Sequence, residues 1–187
     1  MKNKSIVLGV TGSIAAYKAA DLVSKLIKLD YDVTVIMTES AKKLISDQTF
    51  LTLSRNPVIS DLWSVDNWKP EHIQLAEKSS LFVVAPCTAN FMGKYAAGIA
   101  DNALTTYALS HKKKVLLAPA MHVDMWEHAA VQNNCKVLME RGVYFIGPDT
   151  GNLACGITGK GHISDISSIV AKIGNILKDD KNNNSQV

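Results

Sequence analysis

A few stretches of this 187-residue chain carry residue types at spacings suited to chemistry. One is Thr11-Gly12-Ser13, which follows the apolar run Ile6-Val7-Leu8-Gly9-Val10 and precedes Ile14-Ala15-Ala16-Tyr17-Lys18. Hydroxyls beside a glycine at a helix start suit a phosphate, because the free N–H groups and the positive dipole end attract an anion. Another is Ala120-Met121-His122-Val123-Asp124-Met125-Trp126, a soft apolar surface with one imidazole and one carboxylate. It suits plain packing or a flat aromatic ligand. Cys155 lies in the middle of Gly147–Gly161, beside Gly151, Gly156 and Gly159, which reads as a mobile loop or flap. His72, just ahead of an apolar run, is a candidate acid–base group or an ordinary histidine.

The opening turn lacks the full G-x-G-x-x-G fingerprint, and Gly-Ser turns end many ordinary strands, so a phosphate cradle and a plain turn stand side by side. A dinucleotide site also asks for an acid at the end of the second strand. Here Val33–Met37 leads into Thr38-Glu39-Ser40, hydroxyls with one acid among them, which favours a mononucleotide over NAD.

These stretches need elements to hold them. Apolar residues at Ala15, Ala19, Leu22, Val23 and Leu26 predict a helix laid on a core. Leu81–Pro86 and Val115–Pro119 are near-continuous apolar runs, the pattern of strands buried on both faces of a parallel sheet, and each ends in Ala-Pro. Proline stops ladder pairing, so both runs turn off at the carboxyl edge of the sheet, where open α/β folds bind ligands. Helices are expected from Ser40 through Leu53, from Met92 to Ala97, after a cap at Asp101, from about Ala129 to Arg141, and from Ile166 to Leu177. Val143–Ile146 is a further strand. Trp63 and Trp68 fall in a polar loop, which points to packing or an interface. The fold class is therefore α/β, a doubly wound parallel sheet in a single domain over residues 1–177, with 178–187 a polar, disordered tail.

Composition narrows the function classes. The net charge of +3 comes from scattered basic residues, and Lys112-Lys113-Lys114 is the one tight cluster, so no nucleic-acid surface is indicated. Cys87, Cys135 and Cys155 are odd in number and lack C-x-x-C spacing, so neither a disulfide framework nor a zinc site is indicated, and no metal is expected. No run suits a signal peptide or a membrane span, so a cytoplasmic protein is expected.

Taken together, Gly12-Ser13-Ile14-Ala15-Ala16-Tyr17-Lys18, His72-Ile73-x-Leu75, Thr88-Ala89-Asn90, Pro119-Ala120-Met121-x-x-x-Met125-Trp126 and Leu153-Ala154-Cys155-Gly156-x-x-Gly159-x-Gly161 resemble the flavin-containing cysteine decarboxylases. Within that family they are similar to the phosphopantothenoylcysteine decarboxylases of coenzyme A biosynthesis. The resemblance runs from about Lys4 to Val170 in family order. It implies a flavodoxin-like sheet and FMN held at a subunit interface of a trimer or a dodecamer. By motif position Gly12, Ser13 and Ile14 hold the phosphate with Thr38 and Ser40 nearby, and Thr88, Ala89, Asn90, Phe91 and Ala120 lie along the flavin. His72 matches the family's catalytic histidine and Cys155 its flap cysteine; His122, Met125 and Ala154 fall at substrate positions.

The implied reaction is decarboxylation of 4'-phosphopantothenoyl-L-cysteine to 4'-phosphopantetheine and CO2. The thiol is oxidised to a thioaldehyde, CO2 leaves, and the resulting ene-thiol is reduced again with Cys155 as acid. A separate synthetase supplying the substrate is expected. One departure stands out, since the family motif has Asn after Pro-Ala-Met and this chain has His122, which still offers a hydrogen bond or a charge to a carboxylate. The rival readings are a peptidyl-cysteine decarboxylase, which needs no flap cysteine, and a non-catalytic flavin-binding regulatory protein, which relies on acidic tails. A flavin prenyltransferase lacks the His72 and Cys155 motifs, and a plain NAD-binding domain lacks its ribose acid.

Overall fold

The computed structural model describes residues 4–61 and 71–183. Its elements run β1 (Ser5–Val10), α1 (Ala16–Lys28), β2 (Asp32–Met37), α2 (Glu39–Lys42), α3 (Asp47–Ser54), β3 (Val58–Ile59), α4 (Glu71–Lys78), β4 (Leu81–Cys87) and α5 (Ala89–Ala97). There follow α6 (Ala103–Ser110), β5 (Lys114–Pro119), α7 (Val123–Glu127), α8 (Ala129–Glu140), β6 (Tyr144–Phe145), β7 (Asp149–Asn152), β8 (Thr158–His162) and α9 (Ile166–Asn183).

Six strands form one parallel sheet in the order β3-β2-β1-β4-β5-β6. Without the two-residue edge strand β3, the order is that of a flavodoxin-like sheet, and the strand order reverses between β1 and β4. The doubly wound α/β fold expected from the apolar runs is thus the fold observed. Side chains alternate across the sheet. Ile6, Leu8, Val83 and Leu116 pack against α1 and α9 on one face, whereas Val7, Phe82, Val84 and Leu117 pack against α5, α6 and α8 on the other. Burial on both faces is why β4 and β5 read as unbroken apolar runs.

Several boundaries differ from the sequence reading. β4 continues through Pro86 to Cys87, which pairs with Pro119 across a register shift, so proline bends the strand end rather than stopping it. The cap of α6 is Asn102, in a reciprocal box with Thr105, while Asp101 pairs with Lys94. The segment read as a loop between Gly147 and Gly161 contains the antiparallel hairpin β7–β8. Its glycines serve close backbone approach, and ladder bonds order it. Helix α9 carries on past Leu177 to Asn183, into the stretch expected to be a tail. Trp63 and Trp68 lie outside the described residues. No helix among the described residues is long and apolar enough to cross a membrane.

At the amino edge of the sheet three buried polar groups satisfy one another. Ser79 Oγ lies 2.7 Å from Tyr107 Oη, and His111 Nδ1 lies 3.2 Å from each oxygen. Burial holds the His111 pKa below its ordinary 6.5; the bond to the Lys114 carbonyl opposes this and the Lys113 ammonium adds to it. The unfolded chain therefore binds this proton at a higher pH than the folded one. Stability is complete above about pH 6.5 and falls as pH drops toward the folded pKa. Urea midpoints measured across that window are expected to decline for the wild type and to decline less for His111→Asn. Equal slopes would remove His111 as the cause.

Candidate active site

The carboxyl ends of β1, β4 and β5 are tied together one to the next. Thr11, buried after β1, donates its hydroxyl to Pro86 O at 2.7 Å and accepts from Thr88 N at 3.1 Å. Ala120 N then donates to Cys87 O at 3.0 Å, and Met121 N to Gly161 O at 3.0 Å. These bonds hold the loop ends and the hairpin at fixed distances around the point where the strand order reverses. The hydroxyl of Thr11 is consequently a structural strut between β1 and β4.

Beyond Thr11 the chain turns through Gly12 and Ser13 into α1. A Cβ on Gly12 would lie 2.4 Å from Ser40 Cβ, so only glycine lets this turn pass the start of α2. Seven helices have a described N-cap, and six of them are capped by a side chain: Thr38, Ser46, Thr88, Asn102, His122 and His128. Helix α1 has no side-chain cap and no acid in its first turn. Ala16 N and Lys18 N donate within the turn, to Ser13 O at 2.8 Å and Ala15 O at 3.0 Å, and the positive dipole end of the helix faces an adjacent space without an acid to complement it.

That space is a cavity of about 470 Å³ lined from each of these elements, within the usual range for a small-molecule or cofactor site. Gly12–Ala15, Tyr17 and Lys18 form its α1 wall, and Thr88, Ala89, Ala120, Met121, His122 and Met125 come from the β4 and β5 loops and α7. The hairpin supplies Asn152–Cys155, Gly161 and His162, with Ile163 just after it. Lys18 and the two histidines line it, and no carboxylate does among the described residues, so its field favours an anion.

His122 caps α7, its Nδ1 accepting from Asp124 N at 3.2 Å. An accepting Nδ1 carries no proton, which places the ring proton of neutral His122 on Nε2. Protonated, the same Nδ1 instead faces Asp124 Oδ2 at 3.4 Å. Met125 is 48% exposed at the cavity edge, and Trp126 is buried in the core, so only the methionine of that pair is offered to a ligand.

The hairpin reverses at Leu153-Ala154-Cys155-Gly156, where Gly156 N donates to Leu153 O at 2.9 Å and Gly156 takes φ +86°. A Cβ on Gly161 would lie 2.1 Å from Met121 O, and one on Gly159 3.0 Å from Val123 Cβ. The two glycines let β8 press on the β5 loop and α7. Cys155 is therefore presented from a turn whose stem is braced. It is the exposed thiol of the three, and burial pushes the Cys87 and Cys135 thiols up, keeping them protonated and unreactive.

Of the residues singled out by sequence, Gly12, Ser13, Ile14, Thr88, Ala89, Ala120, His122, Met125, Ala154 and Cys155 come together in the cavity. Thr38 is spent on the N-terminus of α2, accepting from Ala41 N at 3.2 Å, and Ser40 abuts Gly12. Asn90 is exposed at the start of α5. The Phe91 side chain is buried, edge-on to Phe82 at 6.4 Å, so it lies in the core. His72 stands in the first turn of α4, which packs with α6 on the sheet face opposite α1; its side chain lies outside the described residues. Tyr17, Lys18 and His162 also line the cavity, although the sequence assigned none of them a role in the site. Lys18 was legible, one helical turn beyond Ile14, whereas His162 needed the register of the hairpin.

The sequence model of the flavoprotein family matches residues 1–178. The coenzyme A biosynthesis bifunctional protein CoaBC of Bacillus subtilis (strain 168) is 46% identical over 171 residues, covering 91% of this chain and 42% of that protein. This chain thus spans about two fifths of that bifunctional relative. A probable phosphopantothenoylcysteine decarboxylase of Streptococcus mutans is 43% identical over 173 residues, covering 91% of this chain and 97% of that one. Among solved structures, a cysteine-to-serine mutant of PPC decarboxylase complexed with pantothenoylaminoethenethiol superimposes with a TM-score of 0.86 at 26% identity, covering 95% of this chain and 100% of that one.

Proposed function

From the premise that the chain belongs to the flavoprotein family, we propose that it binds FMN and decarboxylates 4'-phosphopantothenoyl-L-cysteine to 4'-phosphopantetheine and CO2. The observation that carries this reading is the uncapped N-terminus of α1 opening into the same cavity as the exposed thiol of Cys155. A phosphate site without a thiol would suit any nucleotide; a thiol on a braced hairpin suits a reaction that ends in a reduction.

The residues present fit the cofactor. Backbone N–H groups at Gly12 and Ile14 and the Ser13 hydroxyl would hold its phosphate, the Ser13 N–H being bonded to Thr11 O at 2.8 Å, and a Cβ on Gly12 would have no room. Ala89, Ala120, Met121 and Met125 offer the small and soft surfaces a flat ring system needs. Bound FMN supplies the reversible two-electron couple that an unactivated amino-acid carboxylate requires in order to lose CO2.

The rest is done by side chains. His122, its Nδ1 held by the α7 N-terminus, presents Nε2–H to the substrate carboxylate. Cys155 delivers a proton to the carbon that lost CO2, so that the ene-thiol can be reduced to the saturated thiol. His72 acts as the base or positioning group for the oxidation. Because α4 packs on the face opposite α1, His72 reaches this chemistry at a cavity of a neighbouring copy, and we assign a trimer with the sites at its interfaces. Support comes from Ile14 and Tyr17, 61% and 62% exposed at the cavity edge, an apolar rim that a second copy would cover. The substrate is the product of a synthetase reaction, and the decarboxylation belongs in the cytoplasm, where thiols stay reduced.

The test is direct. Purified protein loaded with FMN is expected to release CO2 from phosphopantothenoylcysteine and to yield saturated phosphopantetheine by mass spectrometry. A flavin-loaded protein that releases no CO2 would overturn the assignment and bring forward a cysteine-ending peptide as substrate.

A further inference from the structure

Lys18 and His162 come from opposite walls of the cavity and meet at its edge. Lys18 Nζ lies 3.0 Å from His162 Nε2 in a part-buried contact. The two are distant in sequence, one in the first turn of α1 and the other at the end of β8. A lysine ammonium has only donors, so the imidazole must accept at Nε2, and the neutral ring then carries its proton on Nδ1. The ring is also seated from behind. A Cβ at Gly151, on the paired strand β7, would lie 3.4 Å from His162 Cγ, so the imidazole rests on bare glycine backbone.

We propose that His162 is a positioning residue, a neutral acceptor that holds the Lys18 ammonium at the cavity wall and latches the Cys155 hairpin to α1. The inference rests on the reading of Cys155 as the residue the hairpin must place. At its base the hairpin is braced to the β5 loop through Met121 N and Gly161 O. The Lys18–His162 bond adds a side-chain tie to the α1 wall, across the space where a ligand would sit. Protonating His162 converts this tie into a contact of two cations, with no lone pair left to accept. The latch then opens, and Lys18 and the hairpin are released together.

The charged and titratable groups around His162 set the conditions. Lys18 faces it from α1. Asp149 pairs with it in register on β7, its carboxylate accepting from Ser164 Oγ at 2.9 Å. Lys160 lies two residues back on β8 and points over the Trp126 ring, 6.0 Å from the centroid. His122 lines the same cavity from the β5 loop, with exposed Asp124 Oδ2 3.4 Å from its Nδ1, and Cys155 lines it from the turn.

Hydrogen exchange of the purified full chain, followed by mass spectrometry of peptides from 149–162, tests the latch at about pH 7.5 and about pH 5.5. After correction for intrinsic rates, wild-type hairpin protection is expected to fall roughly tenfold or more at the lower pH, the loss of one bond to a charged group. In His162→Gln, whose amide oxygen accepts at every pH, protection should hold. In Lys18→Met it should be low at both. Turnover of phosphopantothenoylcysteine should lose less on the acid side in His162→Gln than in the wild type, the loss being in kcat. Equal protection of the wild type at both values, or the same fall and the same acid-side profile in His162→Gln, would overturn the proposal. Exchange is independent of turnover, so an intact exchange pattern without CO2 release would instead refute the assigned reaction.

Discussion

Replacing Cys155 by serine is expected to leave CO2 release in place while cutting formation of saturated phosphopantetheine by a factor of about 100 or more, the usual contribution of a positioned acid. Serine keeps the shape of the turn, including the Leu153 O to Gly156 N bond, so the hairpin and the cavity should persist. What is lost is the acid itself, since a hydroxyl parts with its proton far less readily than a thiol. The product that accumulates should be the ene-thiol, lighter by two hydrogens, seen by mass spectrometry of the released small molecules. Saturated product at the wild-type rate would transfer the proton delivery to another group. Loss of CO2 release as well would mean that Cys155 acts earlier, in holding the substrate. The solved cysteine-to-serine mutant of PPC decarboxylase with pantothenoylaminoethenethiol bound is the parallel that makes this outcome the one to look for.

Ser13→Glu should separate cofactor binding from folding. A carboxylate at this position stands at the N-terminus of α1, which has no side-chain cap and no acid in its first turn. Toward the free protein it supplies the missing complement to the dipole, so the flavin-free form should be as stable as the wild type or gain about 0.5 kcal/mol. Toward a phosphate it places like charge against like charge, at a cost of about 3 kcal/mol, roughly a hundredfold in Kd. Flavin absorbance after purification, flavin titration and thermal melting of the flavin-free form measure the two effects independently. A variant that binds FMN as tightly as the wild type would move the phosphate away from α1. One that melts well below it would make Ser13 a structural residue of the turn.

The pH dependence of stability and that of the site have different sources. His111 acts through burial at the amino edge of the sheet, where its neutral ring completes the bonds of Ser79 and Tyr107. His162 acts at the carboxyl edge through a single lysine. Mutating one should leave the other's acid-side behaviour in place, because additivity holds for groups that share no partners.

Much of this protein was legible as sequence. The strands β1, β2, β4 and β5 appear as apolar runs because a parallel sheet covered on both faces buries most of their side chains. The face of α1 appears as a helical stripe for the same reason. Gly12 and Ser13 were legible as a strand-to-helix turn, and Cys155 among glycines as a thiol on a special segment. Local chemistry and periodicity determine such features, and both can be read along one chain. The remainder depended on which residues meet. Glycine spacing in 147–161 suggested mobility, but Gly159 and Gly161 are there so that β8 can press against Val123 and Met121, a contact between distant segments. Phe91 belongs to the core, and the Thr38 hydroxyl is spent on a cap, because helix phase and hydrogen-bond competition decide where a side chain goes. The tertiary structure alone placed Lys18 against His162 and α4 on the face opposite α1. Residues far apart in sequence become neighbours through strand order and hairpin register, which sequence spacing does not encode.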